Sequence, residues 1–262
     1  MPDARARARE LLASAREVVV LTGAGISAES GVPTFRGSAG LWKSFRPEEL
    51  ATPEAFARDP RLVWEWYRWR RQLIGACRPN EAHRALASFA LEREGVRIVT
   101  QNVDGLHAAA AREVAGSRDA TPALPLELHG SILRSRCTRC HRRAAHLGVS
   151  SEQLPSCEAC GALLRPDVVW FGESLDADVL GEAIARAENA DVCLVIGTSA
   201  VVQPAAGLAS LTEAGGGTVI EVNPERTPLS DSADISLRGT AVETVPELLG
   251  KREAGTGTGP AR

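Results

Sequence analysis

Four cysteines, Cys137, Cys140, Cys157 and Cys160, form two Cys-x-x-Cys pairs separated by sixteen residues, and they constrain the fold more than any other feature. Two residues between cysteines let both sulfurs of one turn reach a single ion, and two such turns complete the tetrahedral thiolate set that structural zinc prefers. With all four positions filled by protein, the metal is expected to be a staple for a lobe with little core of its own, not a Lewis acid. Disulfides are the rival reading. They require an oxidising compartment, and nothing in the chain resembles a signal peptide with an apolar core and cleavage site, so a cytoplasmic protein is expected.

The length of 262 residues and 44% hydrophobic content suffice for one large domain with a small one appended. A net charge of -3 argues against a general binder of nucleic acid. No apolar run is long enough to span a bilayer. The start of the chain, with Arg5, Arg7 and Arg9 interrupted by Asp3, Glu10 and Glu17, reads as a short amphipathic helix with Leu11 and Leu12 on its apolar side. Cys193 reads as a core residue, and Cys77 has no partner spacing.

Short apolar runs at Val18 to Thr22, Ile98 to Thr100, Val192 to Gly197 and Val219 to Asn223 alternate with longer helical patterns. They predict buried strands of a parallel sheet, with polar loops gathered at its carboxyl edge, where open α/β sheets bind ligands. Two stretches break the rhythm. One holds Pro47, Pro53 and Pro60 before a Trp-rich helix, and the other, from about Leu133 to Arg165, holds the cysteines. Together they predict two insertions forming a smaller lobe over the sheet edge. The tail after Lys251 lacks an apolar face and is expected to be disordered.

Gly23-Ala24-Gly25-Ile26-Ser27-Ala28 follows the first strand in the G-x-G-x-x-A form. That pattern predicts a tight turn at the first glycine, backbone approach to a pyrophosphate at the second, and free N–H groups at the start of the next helix. The acidic residue usual about twenty positions later is missing, so Asn223 and Glu225 become the candidates for the ribose hydroxyls.

Four further segments join this loop in order: Gly31-Val32-Pro33-Thr34-Phe35-Arg36, Thr100-Gln101-Asn102-Val103-Asp104-Gly105-Leu106-His107, Glu127-Leu128-His129-Gly130 and Gly197-Thr198-Ser199. With the cysteines after the His-Gly pair, the chain resembles the sirtuin family of NAD-dependent protein deacylases from about Val18 to Pro246. The resemblance implies an α/β protein: a Rossmann-like parallel-sheet domain made of residues 1–37, 83–132 and 166–250, with a smaller lobe of a helical module (38–82), a zinc-ribbon module (133–165) and a disordered tail (251–262). It implies NAD and one structural zinc as cofactors.

Carried over residue by residue, the resemblance makes His129 the general base, a task suited to a side chain that titrates near neutrality. Asn102 and Asp104 join it as catalytic residues, with Gln101 beside them, ordering the ribose, the nicotinamide amide and a water. Phe35 and Arg36 match the segment that covers the reacting sugar. The implied cofactor contacts also include Gly23, Ala24, Gly25, Ser27, Glu29, Trp42, Gly197, Thr198, Ser199, Asn223, Glu225 and Ala241. His107 is the rival histidine, expected to close a helical pattern and to pack or cap. The residues between His107 and His129, including Thr121-Pro122-Ala123-Leu124-Pro125, depart from the family pattern and are expected to enlarge a surface loop.

Tyr67 and Arg70, three apart on the Trp-rich helix, share a face and can reach one ligand together. A phenol and a guanidinium converging at the end of an acyl-lysine tunnel suit a terminal carboxylate, which Arg binds bidentately. With Ala51, this Tyr-x-x-Arg resembles the bacterial sirtuin subclass that removes succinyl, malonyl or glutaryl groups. The rival is an aromatic core helix whose Arg pairs with a surface acid. Acyl-lysine proteins or peptides are the implied partners, laid by strand addition between Val169-Trp170-Phe171-Gly172 and Ala200 to Gln203. A plain NAD-dependent deacetylase, a mono-ADP-ribosyltransferase, a dehydrogenase and a non-enzymatic zinc module are the alternative readings.

Overall fold

The computed structural model describes residues 3–33, 45–145 and 153–250. Phe35, Arg36, Trp42 and the tail after Lys251 lie outside the described residues. The helices are α1 (Ala4–Ser14), α2 (Gly25–Ala28), α3 (Pro47–Leu50), α4 (Pro53–Arg58), α5 (Pro60–Gly75), α6 (Glu81–Glu92), α7 (Leu106–Ala115), α8 (Ala177–Glu188), α9 (Leu208–Ala214) and α10 (Ala241–Leu249). The strands are β1 (Val18–Thr22), β2 (Val96–Thr100), β3 (Leu126–Glu127), β4 (Gly130–Cys137), β5 (Arg143–Ala145), β6 (Leu164–Val168), β7 (Val192–Ile196), β8 (Thr218–Val222) and β9 (Ile235–Leu237).

Six strands make a parallel sheet in the order β3-β2-β1-β7-β8-β9. Every residue of β1 and β7 is buried, as expected where helices cover both faces and side chains have no solvated side. Alternate residues serve the two cores. Val18, Val20, Ile98, Leu194 and Ile196 pack with α1, α6, α7 and α10, while Val19, Leu21, Val99, Cys193 and Val195 pack with α8 and α9. The expected amino-terminal helix forms, burying Ala8 and Leu12. Cys193 is fully buried, as expected of a core residue.

Chain order places β2 and β3 on one side of β1 and β7, β8 and β9 on the other. The boundary between β1 and β7 is therefore the switch point where open sheets of this type leave a crevice.

The segment between α7 and β3 is largely exposed, as its extra residues suggested, but it is anchored to the core at one point. Thr121–Ala123 forms a single 3-10 turn with Ala123 fully buried in the α6 and α7 core. Leu128 N–H then donates to Thr100 O at 3.0 Å, so the backbone entering His129 stays registered on β2. His107 packs as expected, but it opens α7 rather than closing a helix.

A second sheet, β5-β4-β6, is antiparallel and carries the cysteines. Helix α5 packs on it. Asp59 caps α5 by accepting from Leu62 N–H, Pro60 starts it, and its inner face buries Val63, Trp64, Trp66, Tyr67, Arg71 and Ile74. The pairing of β4 with β6 shifts register between Ser131 and Ser135. Such an irregularity releases backbone groups from the ladder. Arg71 takes them: its Nε donates to Ile132 O at 2.5 Å and an Nη donates to Arg134 O at 3.0 Å. Trp64 Nε1 adds a bond to Leu164 O at 3.0 Å, with the Arg71 guanidinium stacked 5.1 Å from the Trp64 ring. Burial pushes Arg71 down to about 10, still charged at neutral pH.

Replacing Arg71 with Met would leave the carbonyls of Ile132 and Arg134 without these donors. Denaturant unfolding should then show a loss of about 2–3 kcal/mol, the range for a buried charged hydrogen-bonding group. A change within about 0.5 kcal/mol, the size of an ordinary surface substitution, would contradict the clamp.

Candidate active site

The loops leaving β1 and β7 cross at the switch point. Gly23 and Gly25 are required there by crowding, since a Cβ on Gly25 would lie 2.7 Å from Gly197 Cα and one on Gly23 would lie 2.8 Å from Thr198 Cα. The expected tight turn forms, with Ile26 N–H bonded to Gly23 O, but the expected free N–H groups do not. Neither glycine has a left-handed φ, and the N–H groups of Gly23, Gly25, Ile26 and Ser27 bond to Ile196 O, Gly197 O, Gly23 O and Ala24 O respectively. The physical reason is that two sheet-edge loops share this space, so small residues and mutual hydrogen bonds hold them together.

Two cavities flank the crossing and share Ala24, Thr198 and Ser199 in their walls. One, about 590 Å³, is lined by Gly25, Glu29, Gly197, Asn223, Glu225 and Ala241 among others. Asn223 Nδ2 donates to Thr198 O at 2.8 Å, tying the loop after β8 to the loop after β7. The other, about 400 Å³, runs past Gly23, Gln101, Asn102 and His129 to Ala51, Tyr67 and Arg70, with Val169, Trp170, Phe171 and Gly172 on its rim. The pair offers a bent slot for an extended dinucleotide with one end in each cavity, so the residues present fit NAD. A larger cavity, about 770 Å³ between α1, α6 and α10, holds none of the expected site residues.

Behind the crossing lies a buried polar chain. Asp104 is 6% exposed, and its carboxylate accepts from Ser27 Oγ at 2.8 Å and Leu106 N–H at 2.9 Å. Burial raises the pKa of Asp104 against these bonds. Asn102 Nδ2 donates to Gly23 O at 3.0 Å and to Ser27 Oγ at 3.2 Å, so one amide fixes both the glycine loop and the serine. His83, which sequence reasoning missed, lies 3.3 Å from Ser27 Oγ through Nε2 and 2.9 Å from Asn80 Oδ1 through Nδ1. Its signal was the Asn80 cap three residues earlier, which orients the histidine inward from α6. His107, 4.8 Å from His83 ring to ring, bonds Thr22 Oγ1 through Nε2 at 2.9 Å.

His129 is set differently. Its Nδ1 lies 2.9 Å from Gln101 O. A carbonyl only accepts, so Nδ1 carries the proton and Nε2 keeps its lone pair, on a ring that lines the 400 Å³ cavity. Burial lowers its pKa and the Gln101 bond partly offsets this, leaving the free-base form favoured at neutral pH. The Sir2 family profile matches residues 23–204. The chain belongs to the Sir2 family. It is 54% identical to an NAD-dependent protein deacylase of Thermococcus kodakarensis over 251 residues, 92% of this chain and 93% of that protein. Among solved structures it resembles a Sir2 homologue in complex with NAD, with a TM-score of 0.84, 49% identity and coverage of 95% of this chain and 93% of that one. It also resembles a Sir2 protein with a p53 peptide and NAD, with a TM-score of 0.76, 33% identity and coverage of 92% and 95%.

In this Sir2 protein α5 contributes Trp66, Tyr67 and Arg70 to the wall of the 400 Å³ cavity. Tyr67 is fully buried, and its hydroxyl accepts from Trp170 Nε1 at 2.9 Å. Arg70 stacks 4.8 Å from the Trp66 ring and 5.5 Å from the Tyr67 ring, and it hydrogen-bonds the Tyr67 oxygen. Burial lowers the pKa of Arg70, while Tyr67 and Asp104 favour its charge. Ala51 O accepts from Phe171 N–H at 2.9 Å, which closes the far wall. The structure thus brings Ala51, Tyr67 and Arg70 together as the sequence expected.

The four expected cysteines also converge, with all four sulfurs within 4.8 Å of one another. Zinc with sulfurs at about 2.3 Å sets neighbouring sulfurs about 3.8 Å apart. The Cys137 to Cys160 and Cys140 to Cys157 distances of 3.4 and 3.6 Å are close to that and far from a disulfide bond. The donor set fits a closed structural zinc site.

Burial pushes His83 down to about 4 from an ordinary value near 6.5. Below pH 6.5 the unfolded chain binds a proton there that the folded chain refuses, so stability should fall as pH drops to about 4 and then level off for this group. The expected contribution is about 3 kcal/mol. Urea titrations of the native protein and His83→Gln should show a correspondingly flatter dependence in the variant, and identical slopes would contradict the assignment.

Proposed function

We propose that this protein is an NAD-dependent protein-lysine deacylase that removes succinyl, malonyl and glutaryl groups, and acetyl groups less well, yielding nicotinamide and O-acyl-ADP-ribose. The observation that carries the reading is that one 400 Å³ cavity is lined by His129, the proposed base, and by the Tyr67 and Arg70 pair. NAD, when bound, would supply an electrophilic ribose carbon for the acyl oxygen, with nicotinamide as the leaving group. The adenosine half belongs in the 590 Å³ cavity against Asn223, Glu225 and Ala241, and the nicotinamide half by Asn102 and Asp104.

His129 then works as a general base through Nε2, accepting a proton from a ribose hydroxyl while Nδ1 is held by Gln101 O. Asn102 and Ser27 keep the Gly23 loop at the height the sugar requires. Thr198 is set by the Gln101 amide, which donates to its Oγ1 at 3.1 Å. At the far end, a guanidinium partly stripped of water favours an anion over a methyl group.

The peptide is proposed to lie extended between the backbone of Val169 to Gly172 and that of Ala200 to Gln203. Phe171, Val201 and Val202 are large apolar side chains exposed beside this path, 54%, 60% and 44% open. Main-chain pairing there gives affinity with little demand on sequence. The four free thiols and their zinc suit a reducing cytoplasm.

Two experiments test these roles. Arg70→Met should lower kcat/KM for succinyl-lysine by about tenfold or more while sparing acetyl-lysine, the effect of losing a charged hydrogen bond of roughly 1.5–3 kcal/mol. Equal losses on both substrates would refute the carboxylate pocket and favour a plain deacetylase. For the base, kcat/KM should rise with pH along an acid limb centred below 6.5, because the lowered pKa of His129 keeps it unprotonated to lower pH. His129→Tyr should abolish turnover with the fold intact, and retained NAD-dependent turnover would overturn the assignment.

A further inference from the structure

One polar group in the wall of the acyl end has no task in the reading above. Trp66 is 1% exposed and lines the 400 Å³ cavity beside Tyr67 and Arg70. Its Nε1 has no hydrogen-bond partner among the described residues. The neighbouring indoles are satisfied: Trp64 Nε1 donates to Leu164 O and Trp170 Nε1 donates to Tyr67 Oη. Buried N–H groups nearly always have acceptors, and one without a partner has a free-energy cost that a ligand can remove.

We infer that the Trp66 indole N–H donates a hydrogen bond to the distal carboxylate of the acyl group, making Trp66 a specificity-determining residue with Tyr67 and Arg70. The inference rests on the acidic-acyl reading. A carboxylate only accepts, with about four lone-pair positions on two oxygens. The wall is rich in donors to match. The Tyr67 oxygen already accepts from Trp170 and Arg70, which leaves its own O–H to donate. Arg70 brings a guanidinium edge, and Trp66 adds one N–H. An acetyl methyl offers the indole no acceptor.

Stacking under Arg70 at 4.8 Å needs only an aromatic ring, which phenylalanine would also supply. The N–H is what tryptophan adds. The competing account is that the Trp66 edge spends this N–H on the face of Tyr67, since the rings meet at 4.8 Å and 72°.

Trp66→Phe keeps the ring and removes only the donor. For one peptide carrying succinyl- or acetyl-lysine, kcat/KM with NAD should fall about tenfold or more on the succinyl form, the factor equivalent to one hydrogen bond to a charged group, and less than about twofold on the acetyl form. In the native full chain with nitrogen-15 in its indoles, the resonance absent from Trp66→Phe should move downfield when succinyl-lysine peptide binds and stay in place with acetyl-lysine peptide. A resonance unmoved by the succinyl peptide overturns the inference, whatever the kinetics, and so does an unchanged succinyl-to-acetyl ratio in Trp66→Phe. Arg70→Met, measured alongside, separates the two claims. If it shifts the ratio and Trp66→Phe does not, only the tryptophan's role fails, and if neither does, the acidic-acyl reading fails with it.

Discussion

The Arg71 guanidinium, seated in the irregularity of β4, is the contact on which the α5 wall of the cleft depends. Helix α5 presents Tyr67, Arg70 and Trp66 to the cavity, yet it lies outside the parallel sheet and packs on the small antiparallel one through Arg71 and Trp64. The cysteine end of the small sheet has only a minor core of Cys137, Cys157 and Leu164 with a few half-buried neighbours, while its other end shares a larger core with α5 through Ile132 and Val168. So little apolar area cannot hold the cysteine end by itself. Four sulfurs within 4.8 Å supply what the core lacks once zinc joins them.

The rest of the cleft answers to a different constraint. At the switch point the loops after β1 and β7 approach so closely that only glycine fits at Gly23, Gly25 and Gly197. That closeness lets Ala24, Thr198 and Ser199 face both cavities at once. The polar chain through Asn102, Ser27 and Asp104 fixes this crossing from behind. One wall of the slot is therefore rigid because two backbones interlock, and the other because a metal-braced sheet grips a helix. His129 sits where they meet, at the start of β4, with its ring held by the loop after β2.

Much of this was legible in the sequence, for physical reasons particular to each part. Uniformly apolar runs such as Val18 to Thr22 can only be buried strands with helices on both faces, and cysteine spacing fixes a tetrahedral set by reach alone. Tyr67 and Arg70 were found because three residues on a helix put two side chains on one face. The glycine loop makes the tight turn its pattern predicts, but its N–H groups are not free, since no local pattern reveals that a loop more than 170 residues away crosses it. The surface loop after α7 was foreseen, but its buried anchor Ala123 was not, because Ala suits a solvated loop and a packed one equally. Trp66 and Arg71 were invisible as individuals. In Trp64-Glu65-Trp66-Tyr67-Arg68-Trp69-Arg70-Arg71, nothing local distinguishes an arginine that clamps backbone from one that lines a pocket.

The chain of dependence from thiolates to small sheet to α5 is tested most directly by hydrogen exchange of the whole protein before and after zinc is chelated. The account predicts that amides of α5 and β4 lose protection together, while those of β1 and β7 in the parallel sheet keep theirs. Protection of α5 that survives zinc removal would contradict it.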